Sequence, residues 1–184
     1  MLTRTCSLAT IMLFLGATFA AAQDSHPHKG FWIGFGLGGG ASLEGDSDTQ
    51  GGGAFYVRLG GTPNTKWLIG GEAIGWARSE NGVTLARGNS TFTTLFYPGA
   101  AGGFYAKAGV GFAYVSLSGD AAGLQLSATD EGFGSTVGLG YEIRLGKNLF
   151  LVPAFDWLLQ LYGSDTIFSS SNSIFVLSLG LTWH

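Results

Sequence analysis

The sequence has 184 residues, a formal net charge of −3, 11% charged and 46% hydrophobic residues, 32 glycines and a mean hydropathy of +0.28. This acidic balance argues against nucleic acid as a partner, because phosphate binding draws on clustered Lys and Arg. The single cysteine, Cys6, rules out an internal disulfide framework.

The first stretch, MLTRTCSLATIMLFLGATFAAAQ, reads as a secretory signal peptide. Arg4 supplies the positive n-region, residues 8–19 the apolar h-region, and Ala20-Ala21-Ala22 an A-x-A site before Gln23. The apolar run is shorter than the roughly 20 residues of a transmembrane helix. The expected organisation is therefore a signal peptide at 1–22, a short periplasmic segment at 23–29, and one β-barrel domain at 30–184. Cys6 would leave with the signal, taking the only thiol nucleophile with it. Only Arg4 of the nine basic residues precedes Gln23, and all twelve acidic residues follow it, so the mature charge is −4. A secreted chain of positive hydropathy with no later apolar helix-length span suits an all-β membrane barrel.

Period-two segments then recur to the last residues, and eight strands are expected near 30–40, 52–61, 66–77, 89–97, 103–117, 132–145, 148–161 and 172–183. The first contains Gly34-Phe35-Gly36-Leu37-Gly38-Gly39, a literal G-x-G-x-x-G. Its glycines alternate within a strand and open no helix, so no dinucleotide or other cofactor is expected. The second strand sets Phe55, Val57 and Leu59 against Tyr56, Arg58 and Gly60. In the third, Glu72 fixes an inward row of Leu68, Gly70, Glu72, Ile74 and Trp76, and leaves the small Gly71, Ala73 and Gly75 in the outer row. The fifth turns Phe104, Ala106, Ala108, Val110 and Phe112 outward and Lys107 inward. The sixth, seventh and eighth alternate likewise, with Glu142, Arg144 and Asp156 on inner rows.

The connectors alternate in kind. GTPNT, PGAAG and GKN are short; ASLEGDSDTQ, RSENGVTLARG, SGDAAGLQLSATDE and YGSDTIFSSSN are long and polar. Short turns at one end and long loops at the other mark an up-and-down outer-membrane barrel with both ends of its chain in the periplasm.

A lysine on the lipid face near the midplane would cost about 2–4 kcal/mol, so Lys107 belongs in the lumen. Isolated charges there are prohibitive and paired ones tolerable. Arg58, Glu72, Lys107, Glu142, Arg144 and Asp156, three of each sign, are therefore expected to form a lumen ion-pair network. Lys107 would pair with Glu142 on the next strand, with Glu72 and Asp156 more distant. A gated ion path is the alternative reading of the same charges. Trp67, Phe96, Phe104, Tyr141 and Trp183 should form an aromatic girdle at the periplasmic rim.

No catalytic residue is expected, since acyl-ester chemistry wants a serine beside a histidine base. His26, His28 and His184 lie at the two ends of the chain. The His-Pro-His run supplies two ligands, too few for a metal site, so no metal is expected either.

The motifs FYAKAGVGFAYV, STVGLGYEIRLG and IFVLSLGLTWH resemble the small eight-stranded outer-membrane β-barrel proteins of Gram-negative bacteria, OmpA/OmpX-like and opacity-type surface proteins. The resemblance implies residence in the outer membrane, contact with its lipid and lipopolysaccharide, and insertion by the outer-membrane assembly machinery. It also implies a role in envelope integrity or surface contact, without catalysis. A narrow pore or transporter, and a lipid-modifying enzyme, are the alternatives.

Overall fold

The computed structural model describes residues 28–43, 49–99, 102–121, 124–163, 168 and 170–184. The expected signal peptide, and all of 23–29 except His28 and Lys29, lie outside the described residues. The strands are β1 (Gly30–Leu43), β2 (Gln50–Asn64), β3 (Trp67–Glu80), β4 (Val83–Phe96), β5 (Phe104–Ala121), β6 (Leu124–Tyr141), β7 (Ile143–Arg144), β8 (Leu149–Tyr162) and β9 (Ser171–Trp183). The two-residue β7 prolongs β6 along β8 beyond a break at Glu142, so the wall has eight staves. Each stave pairs antiparallel with its neighbours, and β1 pairs with β9 from Ile33↔Trp183 to Leu43↔Ser173. That seam closes the sheet and leaves no edge, the condition for strands to cross a bilayer.

Period two decides what faces where. Outward Leu37 and Phe112 are 73% and 74% exposed, whereas inward Trp32, Leu68, Ile74, Val152 and Leu158 are fully buried. The rows assigned from sequence on β2, β3, β5, β6, β8 and β9 hold. The small outer row of β3 is in register: Gly75 sits opposite Phe55, and a Cβ there would meet the Phe55 ring at 2.7 Å. The neighbouring ring covers what the glycine leaves bare.

Two of the four long connectors differ from expectation. RSENGVTLARG is mostly strand, closed by a two-residue turn in which Asn81 (φ 51°) and Gly82 (φ 80°) both take positive φ. That is the Asn-Gly type I′ geometry, whose twist matches antiparallel strands. SGDAAGLQLSATDE is likewise almost all strand, because β5 runs to Ala121 and β6 starts at Leu124. Both strands have 18 residues, where a bilayer crossing takes about 9–11. Beyond the bilayer the outer face no longer has to be apolar, and a polar strand reads as a loop.

The interior is layered. At the short-turn end Trp32, Leu68, Leu95, Tyr97, Tyr105, Phe150 and Val152 form one apolar cluster. Farther along, Tyr56, Ile74, Trp76, Leu158, Ile174 and Val176 form a second, and Ala113, Val115 and Tyr162 a third near the long-loop end.

Candidate functional site: the charged lumen

Three strands deliver one charge cluster. Lys107 Nζ on β5 donates to both Glu72 carboxylate oxygens on β3 at 2.6 Å and pairs with Asp156 Oδ1 on β8 at 2.7 Å. All three side chains are at most 2% exposed. Gly138 explains the approach: it lies between Lys107 on one side and Asp156 on the other, in register with both. A Cβ at Gly138 would collide with Asp156 Oδ1. Arg58, cross-strand from Glu72, donates to Tyr105 Oη at 2.9 Å and Thr182 Oγ1 at 3.4 Å. Its guanidinium lies over the Tyr56 and Tyr105 rings at 4.8 and 5.2 Å from their centroids. In a low-dielectric bore the arginine is held by two hydroxyl acceptors, a facing carboxylate and π-faces together, while its Nε has no hydrogen-bond partner among the described residues.

The expected Lys107–Glu142 pair is not the one formed. Glu142 stands at the short-turn end, where its Oε2 meets His28 Nε2 at 2.9 Å and its Oε1 meets His184 Nε2 at 3.0 Å and the Tyr97 hydroxyl at 2.8 Å. Lys107 reaches across the bore instead, because its cross-strand neighbour on β6 is a glycine. Arg144 is a rim residue: its guanidinium donates to Gly146 O at 2.9 Å and Lys147 O at 3.3 Å, in the turn before β8. The anticipated single network is thus a central cluster, a separate Glu142 cluster, and a turn-bonded arginine.

Sequence reasoning missed the polar ladder between the apolar layers. Ser42 Oγ donates to Asn172 Oδ1 at 3.1 Å, Asn172 Nδ2 to Gln160 Oε1 at 3.2 Å, and Gln160 Nε2 to Asn89 Oδ1 at 2.9 Å. Asn89 Nδ2 continues to Ser135 O at 2.9 Å. Arg87, buried on the inner row of β4, was also missed, because its stretch read as loop. His28 and His184 were set aside as terminal; what joins them is closure of the barrel, which puts the start of β1 beside the end of β9.

The five proposed girdle aromatics lie on outer rows beside short turns. Trp67 is cross-strand from Phe96 with ring centroids 4.6 Å apart, and Phe104 is cross-strand from Tyr141. Trp183, 57% exposed, pairs with both Ile33 and Leu149.

Solved structures share the architecture. Neisserial surface protein A superposes with a TM-score of 0.60 at 13% identity, covering 86% of this chain and 99% of that one. Ail, the attachment invasion locus protein of Yersinia pestis, gives 0.60 at 12% identity, covering 84% and 99%. At such identities the likeness is one of fold. No curated protein matches the sequence. The family described as outer membrane protein beta-barrel domain matches residues 10–181, nearly the whole barrel together with part of the segment before it. The chain belongs to that family and is an integral protein of the bacterial outer membrane.

Proposed function

We propose that this barrel is non-catalytic, that its lumen is closed to solutes by its own side chains, and that it serves the envelope structurally or through surface contact. The observation that carries this reading is the Lys107–Glu72–Asp156 cluster, which ties three strands across the bore with all three side chains buried. Apolar layers on either side of that cluster support it, since an eight-stranded barrel is just wide enough for side chains to fill. Both described histidines are engaged with Glu142 rather than held beside a serine, which supports a role without acyl chemistry. The 18-residue β5 and β6 would carry polar strand ends above the lipid, where surface contacts form. Contact with lipid and lipopolysaccharide along the apolar outer rows, and delivery by the assembly machinery, belong to the same reading.

Planar-bilayer recording of the purified protein tests it. A closed lumen gives no unitary currents in the parent or in a variant of the outer turns. Reproducible single-channel currents whose ion selectivity changes in Lys107→Met would establish the pore alternative.

A further inference from the structure

We propose that His28, Glu142 and His184 form a binding site for a zinc-type divalent cation at the short-turn mouth of the barrel. One ligand atom from each of the three residues falls within 4.8 Å of the other two. Two imidazoles and a carboxylate are a ligand set that zinc uses when it keeps a fourth position open for water or a further donor. As the structure stands, the Glu142 carboxylate accepts from both Nε2 atoms, so two N–H protons lie between the three ligands. A cation bonded to both Nε2 atoms and the carboxylate takes the place of those protons: a neutral imidazole moves its proton from Nε2 to Nδ1 by exchange with solvent, and an imidazolium releases its Nε2 proton to solvent and keeps the one on Nδ1. Zinc bonds to nitrogen and oxygen of about 2.0–2.2 Å bridge the present separations with small side-chain movements.

The surroundings are those of a built site. Tyr97 donates to Glu142 Oε1 at 2.8 Å and also packs against the His28 ring at a 40° tilt, with centroids 4.2 Å apart. Hydrogen bonding of this kind to a ligating carboxylate orients it and tunes the metal. Phe150 meets the His184 ring edge-on at 5.2 Å, and the two imidazoles lie 4.6 Å apart. His28 and Glu142 are buried, and neither His28 Nδ1 nor His184 Nδ1 has a hydrogen-bond partner among the described residues. Each imidazole is therefore oriented through the one nitrogen that points at the shared centre. The placement gives the site a task. His28 precedes β1, His184 follows β9, and Glu142 sits where β6 breaks, two staves from β9, so a bound cation staples the closing seam to the wall beyond β8.

The test is zinc titration of the purified barrel in detergent after treatment with a chelator, using competition with a chromophoric zinc indicator, together with the urea unfolding midpoint with and without zinc. The expected result is one zinc per barrel and a higher midpoint with zinc. His28→Gln and His184→Gln should each weaken affinity by tenfold or more and abolish the shift, while His26→Gln leaves both unchanged. The glutamine variants retain a hydrogen-bonding group, so their metal-free midpoints show whether folding is intact. Absence of stoichiometric zinc in the folded parent overturns the proposal and leaves an imidazole–carboxylate latch. Equal zinc binding by the His28→Gln/His184→Gln double variant overturns it too, by placing the ion elsewhere.

Discussion

Lys107→Met is the most informative single change, because it keeps the length of the side chain and removes only its charge. In the parent, one ammonium serves two carboxylates at 2.6 and 2.7 Å, with solvent all but absent from all three groups. Removing one partner of a buried pair typically costs about 3–5 kcal/mol, the penalty being the charge left behind. Here two carboxylates are left, which pushes the cost toward the upper end of about 5 kcal/mol, while Arg58 opposite Glu72 offsets part of it. Equilibrium unfolding in urea, followed by tryptophan fluorescence in detergent or lipid, should show a lowered midpoint with an unchanged slope. Neutralising the carboxylates in the same chain, Lys107→Met with Glu72→Gln and Asp156→Asn, should recover most of the loss. Glu142→Gln in the Lys107→Met background should recover none, since Glu142 belongs to another cluster. A midpoint for Lys107→Met within about 1 kcal/mol of the parent would refute the reasoning, because it would mean that water hydrates the carboxylates in the bore.

Gly138→Ala drives a methyl group into Asp156 Oδ1 and should lower stability, by an amount that shrinks in an Asp156→Gly background; urea midpoints of the four chains measure this coupling. Gly82→Ala places a Cβ at φ 80°, and should cost about 1 kcal/mol and slow hairpin closure, visible in refolding kinetics. Brominated lipids should quench single-tryptophan variants retaining Trp67 or Trp183 at interfacial depth, and water-exposed rings at both positions would mean that the girdle assignment is wrong. N-terminal sequencing of the protein from outer membranes should begin at Gln23.

What the sequence disclosed and what it hid follow from one distinction. A face is a local property: with period two, a single lysine or glutamate assigns a whole row, so Lys107, Glu72 and Asp156 could be turned inward from their own strands alone. A partner is not local. Glu142 lies on the next stave to Lys107 and looked adjacent, but it sits in line with the turn before β8, at another height in the bore. Stagger between staves sets that height, and no periodicity within one strand reports it. The same gap hid the Ser42–Asn172–Gln160–Asn89 ladder, assembled from β1, β9, β8 and β4. It also hid His28 and His184, which meet only because the cylinder closes. The misread connectors have a different cause. Hydropathy marks where lipid ends, not where the strand ends, so polar β3–β4 and β5–β6 extensions looked like loops.

The order of the layers bears on why the chain tolerates ionised groups at all. Replacing a buried ion pair by apolar residues is often neutral or stabilising, so the Lys107 cluster is poor insurance for stability alone. Its geometry suits a different task. An apolar row can slide by two residues along its neighbour and still face inward, whereas Lys107 can reach Glu72 and Asp156 together at one stagger only. Gly138 reinforces the point for a slip in one direction, because Thr136 brought to that position would displace Asp156, whereas the opposite slip brings another glycine, Gly140. A slipped stave would leave at least one carboxylate unpaired in the bore, at about the 3–5 kcal/mol set out above for Lys107→Met. A role in register makes a prediction of its own. Removal of the Lys107 charge together with both carboxylates should leave a barrel of near-native stability that folds with lower fidelity, detected as heterogeneous refolded species on non-boiled gels. Uniform refolding of that triple variant would show that the apolar rows set the stagger unaided.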